Sequence, residues 1–245
     1  MVLGAFLPFQ SHGQAAILVL IFGDDVATEK FHFSIDGGLN ITEIQNLNGK
    51  SAVYANFGLG AHLKLSEKWT FAPEFKPLSG RGERKIQRFT EIPPELGEEI
   101  KSIETRVKLN YIDIPLLFRY KASKHFYLAA GPQVSFRTSA KVLTDVILED
   151  GREIEVSDPI EDITQWYELS FPIEVGYNFM QQNHLGGVDL RVRFVPGFTE
   201  IIDVDGSSLK NNTIQIIASF PFLLDEAKKA EKEMKKEMRR ESRNN

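Results

Sequence analysis

Between positions 109 and 136 the chain reads LNYIDIPLLFRYKASKHFYLAAGPQVSF, and apolar and polar residues alternate through most of it. Ile112, Ile114, Leu116, Phe118 and Tyr120 share one face; Tyr111, Asp113, Pro115, Leu117 and Arg119 share the other. After a charged connection, Lys121-Ala122-Ser123-Lys124-His125, the alternation resumes. Phe126, Leu128, Ala130, Pro132, Val134 and Phe136 now oppose Tyr127, Ala129, Gly131, Gln133, Ser135 and Arg137. Successive side chains leave a strand on opposite faces, so a period of two predicts a β-hairpin with one apolar and one polar side.

Six further runs carry the same period. They cover 31–42, 53–65, 69–76, 167–179, 188–195 and 213–222, making eight predicted strands. Asn48-Gly49 marks a turn after the first. Residues 78–106 read as a long charged loop, and 142–156 as a hairpin-like extension turning at Asp150-Gly151. The links after strands two, four and six are short, and those after one, three, five and seven are longer. In an up-and-down meander all short turns then fall at one end, as in outer-membrane barrels. A tilted strand crosses a bilayer in about 9–11 residues, a length these runs supply. Seven prolines (Pro73, Pro77, Pro115, Pro132, Pro172, Pro196, Pro221) lie in or at the ends of strands. A closed barrel has no edge on which to place them, so bulges or lost ladder bonds are expected there.

Alternation alone leaves the direction of the apolar face open, and a soluble lipocalin-like ligand carrier would turn it inward. Three features favour apolar-out. The polar face is rich in small residues (Gly38, Gly58, Gly60, Ala129, Gly131, Gly176), suited to a lumen only just wide enough for side chains. Its charges are of both signs. Aromatics (Phe31, Trp69, Tyr120, Phe126, Tyr177, Phe179, Phe220, Phe222) gather towards the short-turn end, like the girdle of a membrane barrel. The predicted fold is therefore all-β, an eight-stranded antiparallel up-and-down transmembrane β-barrel with a short C-terminal helical tail.

Composition trims the remaining classes. The 245 residues contain no cysteine, which removes disulfide and thiol chemistry, and the net charge of −5 argues against nucleic acid. No clean apolar run of helical-span length follows the N-terminal segment. Residues 1–15 read as the remnant of a signal peptide with a cut before Ala16, although no basic residue precedes the apolar part. Residues 16–29 are an apolar leader, 30–224 the barrel, and 225–245 a charged tail. In the tail Ala227, Ala230, Met234 and Met238 recur at helical spacing, with Asp225 and Glu231 each four residues before a lysine.

YIDIPLLFRYK followed by HFYLAAGPQVSF, with SIDGGLN in the first strand, resembles the small outer-membrane β-barrel proteins of Gram-negative bacteria, the "porin family" or OMP β-barrel domain. The resemblance extends over about 30–224. It implies an integral outer-membrane protein, with short turns and both termini periplasmic and long loops external. It brings no catalytic residues and no cofactor. Its implied partners are outer-membrane lipid and lipopolysaccharide, the barrel-insertion machinery, and a periplasmic partner for the tail. Such barrels commonly end on an aromatic; here Phe222 is followed by the tail.

Candidate chemistry is confined to the polar face. A lumen charge network is expected from Glu74, Lys76, Asp113, Arg119, Glu174, Asp189, Arg191 and Arg193. Turn centres place Arg119 opposite Tyr127, Asp113 opposite Gln133, and Glu174 close to Arg191. His32 and His62 fall opposite each other near the short-turn end and are weak metal candidates. The link 144–162 carries Asp145, Glu149, Asp150, Glu153, Glu155, Asp158, Glu161 and Asp162 against Arg152 alone, a surface for divalent cations or a basic partner. The expected role is structural, adhesive or assembly- and secretion-related, through the external loops around a plugged lumen. The alternatives are a narrow pore for ions or small solutes, a soluble carrier, and an enzyme acting on lipid. No nucleophile–base pair is found at the bilayer rim for the last.

Overall fold

Alternating residues become strands throughout the computed structural model, which describes residues 31–86, 100–182, 186–204 and 207–221. The strands are β1 (Phe31–Ile44), β2 (Lys50–Lys64), β3 (Trp69–Arg84), β4 (Ile100–Lys121), β5 (Phe126–Ala130), β6 (Gln133–Leu148), β7 (Glu153–Pro159), β8 (Tyr167–Ser170), β9 (Ile173–Gln182), β10 (Gly186–Pro196), β11 (Ile202–Val204), β12 (Ser207–Leu209) and β13 (Asn211–Pro221). β5 and β6 are two halves of one barrel strand, interrupted at Gly131-Pro132, and β8 and β9 are halves of another, interrupted at Phe171-Pro172. A proline cannot donate to the ladder, which accounts for both breaks. Counted this way eight antiparallel strands close on themselves, with β1 pairing both β2 and β13, and β3 pairing β4.

Side chains on neighbouring positions settle the direction of the faces. On β10, Arg191 is 0% exposed and Val192 is 52% exposed. Leu39, Phe57, Leu59, Phe75, Leu116, Phe118, Leu128, Val175, Phe194 and Ile216 point outward, whereas Asp36, Asn56, Glu74, Lys76, Asp113, Glu174 and Gln215 are buried inside. The barrel is apolar outside and polar within. Trp69 packs on Tyr120, and Tyr177 on Phe126 and Phe179, at the short-turn end.

The region 78–106 departs from the expected loop. β3 runs to Arg84 and β4 begins at Ile100. Lys76 pairs with Asp113 but Ser79 with Tyr111, so the segment holding Pro77 and Leu78 contains an extra residue on β3. That bulge switches the inward phase from Ala72, Glu74 and Lys76 to Ser79, Arg81 and Glu83. A second bulge on β6 sits between Arg137 and Ser139, where the Thr138 hydroxyl donates to the Asn110 carbonyl at 3.1 Å. Because the phase changes mid-run, each segment loses its strand signature in sequence.

The first connection at the long-loop end is also shorter than expected, only residues 45–49, with Asn46 and Asn48 in left-handed conformation (φ 66° and 59°). Asparagine tolerates this region better than most side chains. The outward apolar band stops on β4 between Ile112 and Asn110. Lys108, Arg106, Glu104 and Ser102 take the same face beyond it. With 22 residues at about 3.3 Å each, β4 is roughly twice as long as the 11-residue β10. The excess forms a sheet with β6 and β7 that stands past the band. The last barrel strand begins two residues before Thr213 and ends at Pro221. Residues 1–30 and the tail lie outside the described residues, and with them the predicted cleavage site and C-terminal helix.

Candidate functional site

Inward polar residues from strands across the ring meet at mid-height. Glu74 on β3 and Arg191 on β10 lie on opposite walls, yet Arg191 Nη1 reaches Glu74 Oε1 at 2.5 Å. Arg193 Nη2 donates to the same oxygen at 2.7 Å and to Glu174 Oε2 at 2.6 Å. Arg191 Nη2 contacts Asp36 Oδ2 at 2.5 Å, and the Ser219 hydroxyl donates to Asp36 Oδ1 at 2.6 Å. Lys76 Nζ lies 3.7 Å from Glu74, and Arg119 lies 3.5–3.7 Å from Glu74, Glu174 and Asp189. Lys76, Arg119, Arg191 and Arg193 thus balance Asp36, Glu74, Glu174 and Asp189, four charges of each sign.

A second tier sits above. Arg81, placed inward by the β3 bulge, bridges Asp113 at 2.6 Å and Glu168 at 2.7 Å, with its guanidinium 4.6 Å from the Tyr111 ring centroid. The Asn211 amide donates to Glu168 at 2.7 Å. Higher still, Glu83 accepts backbone N–H bonds from Ile44 at 2.7 Å and from Gly49, fastening the first connection. Ile44, Leu47, Ile86, Val107, Leu109, Val142, Ile201, Ile202 and Leu209 then form a buried apolar cluster at this end.

Several expected neighbours shift. Arg119 pairs with Ala129 rather than Tyr127, and Asp113 with Ser135 rather than Gln133. The turn is centred one residue later than the sequence suggests. There the Ser123 hydroxyl oxygen accepts from the Phe126 N–H at 3.1 Å, and both Ala122 and Ser123 N–H groups donate to the Phe126 carbonyl. A one-residue move of the centre shifts register by two, so the faces survive and the partners do not. Arg119 still meets Tyr127, its guanidinium 4.9 Å from the ring centroid. Glu174 pairs directly with Arg193, while Arg191 stands opposite Gly176 and 3.6 Å from Glu174. Asp36, Arg81, Glu83 and Glu168 were not singled out from sequence. Asp36 and Glu168 had the right face as their only signal, and Arg81 and Glu83 were hidden by the bulge.

The acidic link is less one-sided than its composition. Arg106 on β4 pairs with Asp145 and, at 2.6 Å, with Glu155, so it ties β4, β6 and β7 together. Asp150 accepts from the Arg152 N–H and guanidinium, which hold its carboxyl below the usual range. The Glu161 carboxyl is likewise lowered, by the Ala140 N–H it accepts.

His32 and His62 do face each other, with rings stacked 4.6 Å apart. Among the described residues no third acidic, His or Cys side chain joins them in a metal-sized cluster. His62 Nε2 lies 2.9 Å from the Ser34 hydroxyl, and that hydroxyl also lies 3.0 Å from Asp36 Oδ1. Asp36 therefore contacts the serine rather than orienting the imidazole, and the three lack the nucleophile–base–carboxylate order of an acyl-transfer site. Below them, at the short-turn mouth, is a cavity of about 190 Å³ bordered by His32, His62, Arg119, Tyr127, Asn178 and Asp189.

Gly176 leaves room for a facing side chain: a Cβ there would lie 2.1 Å from Tyr127 Cζ. Gly176→Val is expected to cost about 1–3 kcal/mol in urea unfolding from lipid, by overpacking. The same substitution made in a Tyr127→Ala background should cost far less than in the native protein; an equal cost in both backgrounds would show that the ring is not the obstacle.

Similar folds occur among solved structures. Ail, the attachment invasion locus protein of Yersinia pestis, is 14% identical over 80% of this chain and 100% of its own, with a TM-score of 0.40. Neisserial surface protein A is 12% identical over 80% and 98% (TM-score 0.41), and OprG from Pseudomonas aeruginosa 13% over 79% and 96% (TM-score 0.41). No curated protein matches the chain. The profile of the outer membrane protein beta-barrel domain matches residues 13–203, more than half of the sequence. Together with a closed ring that is apolar outside and polar within, this match means that the chain belongs to the outer membrane protein beta-barrel family.

Proposed function

We propose that the protein is a non-conducting outer-membrane scaffold that acts through the sheet and loops at its long-loop end. The filling of the lumen carries this reading. A charge-balanced network occupies mid-height, and an apolar cluster closes the long-loop end above it. An eight-stranded barrel is only just wide enough for its own side chains. Family architecture supports placing the long loops outside the cell and the short turns in the periplasm. The projecting β4–β6–β7 sheet then faces the exterior, where the acidic β7 edge suits a basic partner or cation-bridged lipopolysaccharide. The termini fall on the periplasmic side, where the tail is available to a periplasmic partner and the barrel-insertion machinery reads an internal aromatic signal. No catalytic role is assigned to any residue.

Purified protein reconstituted into planar bilayers is expected to give no reproducible open level. A stable conductance step, altered by Glu74→Gln or Arg193→Gln, would replace the scaffold with the narrow pore as the better reading.

A further inference from the structure

A recess interrupts the outward apolar face where β1, β2 and β3 lie side by side. Two cross-strand rows there read Phe31–Leu63–Phe71 and Ile35–Leu59–Phe75, with Phe33–Ala61 between them. Pro73 continues the middle row, since Ala61 and Pro73 fall between the pairs Gly60–Glu74 and Leu63–Phe71. The rows on either side present large side chains, whereas Ala61 and Pro73 are short and adjacent. With Phe33, Leu59 and Phe75 as walls they border a space of about 340 Å³, at the small end of ligand pockets, which run about 300–1,000 Å³. Leu59 and Phe75 are 36% and 47% exposed and stand out as ridges, while the Glu74 side chain is turned into the lumen and brings no charge to this face.

Position along the strands decides what meets the recess. Pro73 is four residues from Trp69, which packs on Tyr120 in the aromatic girdle. At about 3.3 Å per residue and a tilt of about 40°, the recess lies roughly 10 Å inside that girdle. Half of a hydrocarbon core is about 15 Å thick, so acyl chains rather than headgroups reach it. A second barrel wall is a poor occupant, because the ridges hold a stiff surface away and a stable interface needs about 1,200–2,000 Å². A single flexible chain fits between them. Beyond the girdle, the two neighbouring short turns and the end of β2 carry Lys64, Lys68, Lys121 and Lys124 against Glu67 alone. The Lys121 N–H donates to the Lys68 carbonyl at 2.8 Å and holds those turns together. Lysines so clustered at a membrane surface attract anionic headgroups within a Debye length.

We propose that this recess seats one acyl chain of an anionic phospholipid from the leaflet at the short-turn end. Ala61 and Pro73 form the floor and the phenyl and leucyl walls hold the chain by close apolar contact. The lysines select the headgroup through their field rather than through a fixed contact. The site stands whether or not the lumen conducts.

The test uses the full chain in nanodiscs of phosphatidylcholine. Trp166→Phe leaves Trp69, beside the recess, as the sole tryptophan. Its fluorescence is followed as host lipid is replaced by phosphatidylglycerol or phosphatidylcholine with brominated acyl chains, which quench on contact. Half-maximal quenching is expected at an about fivefold lower mole fraction of the brominated phosphatidylglycerol. Ala61→Phe fills the recess and should bring the two curves together while the heat-modifiable folded band is kept; Ala61→Leu repeats the test with a smaller side chain. Val192→Phe, the control on the outward face of β10, should leave both curves in place. Coincident curves in the Trp166→Phe protein, a preference that survives both Ala61 variants, or one erased equally by Val192→Phe overturns the proposal. So does disulfide cross-linking between Ala61→Cys chains at high lipid dilution, which identifies a second copy as the occupant.

Discussion

Glu74→Gln is expected to lower the stability of the barrel by about 3–5 kcal/mol, read as a reduced urea midpoint for loss of the heat-modifiable folded band. Glu74 receives Arg191 at 2.5 Å and Arg193 at 2.7 Å on one oxygen and Lys76 at 3.7 Å on the other. Glutamine preserves volume but removes the charge, leaving four cations against three carboxylates in a cluster that is buried apart from Asp189 at its short-turn edge. Desolvation already weighs against every member of the cluster, so removing one partner leaves the others buried and uncompensated. The electrostatic origin is checked by a second substitution. Glu74→Gln with Lys76→Met restores neutrality and should recover part of the loss, because the two sites are close enough to couple. Glu155→Gln serves as the contrast: Glu155 pairs with Arg106 at 2.6 Å but is more than half exposed, and such a pair is worth under about 1 kcal/mol. If Glu74→Gln costs no more than Glu155→Gln, the network is not what holds the lumen together.

That contrast also marks where the sequence stops being legible. The outward face could be read because it needs only a period of two and a consistent phase; Leu116, Phe118, Leu128 and Val175 all lie where alternation puts them. Local pairings with a well-placed turn centre were legible as well, and His32 opposite His62 follows from a link centred at Leu47. Partnerships across the barrel were not. Glu74 and Arg191 are far apart in sequence and on opposite walls, and only closure of the ring brings them to 2.5 Å. Arg81 was lost for a different reason. One extra residue near Pro77 inverts the phase of β3, so a strand that continues to Arg84 reads as a loop. The Asp113 and Arg119 registers failed by two residues because Ser123 shapes the turn, and that hydroxyl contact is invisible in the alternation. Fold class is therefore written redundantly in many strands, whereas the lumen depends on bulges and turn centres that single residues decide.

Because the outward face is fixed by that redundancy, one charged substitution on it has a predictable cost. Ile216→Arg is expected to destabilise the folded protein by about 2–4 kcal/mol in lipid vesicles. Ile216 sits at the middle of β13, points outward at 42% exposure, and is flanked in register by Leu39 on β1 and Val192 on β10, both also outward. An arginine there meets hydrocarbon rather than carboxylates, and the cost falls towards about 0–1 kcal/mol near either interface. Phe220, near the short-turn end of the same strand and 53% exposed, supplies the internal comparison. Phe220→Arg should cost less in charge terms, since its guanidinium reaches the interface. Transferring the same variants from lipid vesicles to short-chain detergent micelles, which admit water more readily, should shrink the Ile216→Arg penalty while leaving Glu74→Gln nearly unchanged. This opposition separates the two faces of one wall, since the lumen charge answers to its ion pairs and the outer residue to the solvent around the barrel. Equal sensitivity of both variants to the change of medium would contradict the assignment of Ile216 to lipid.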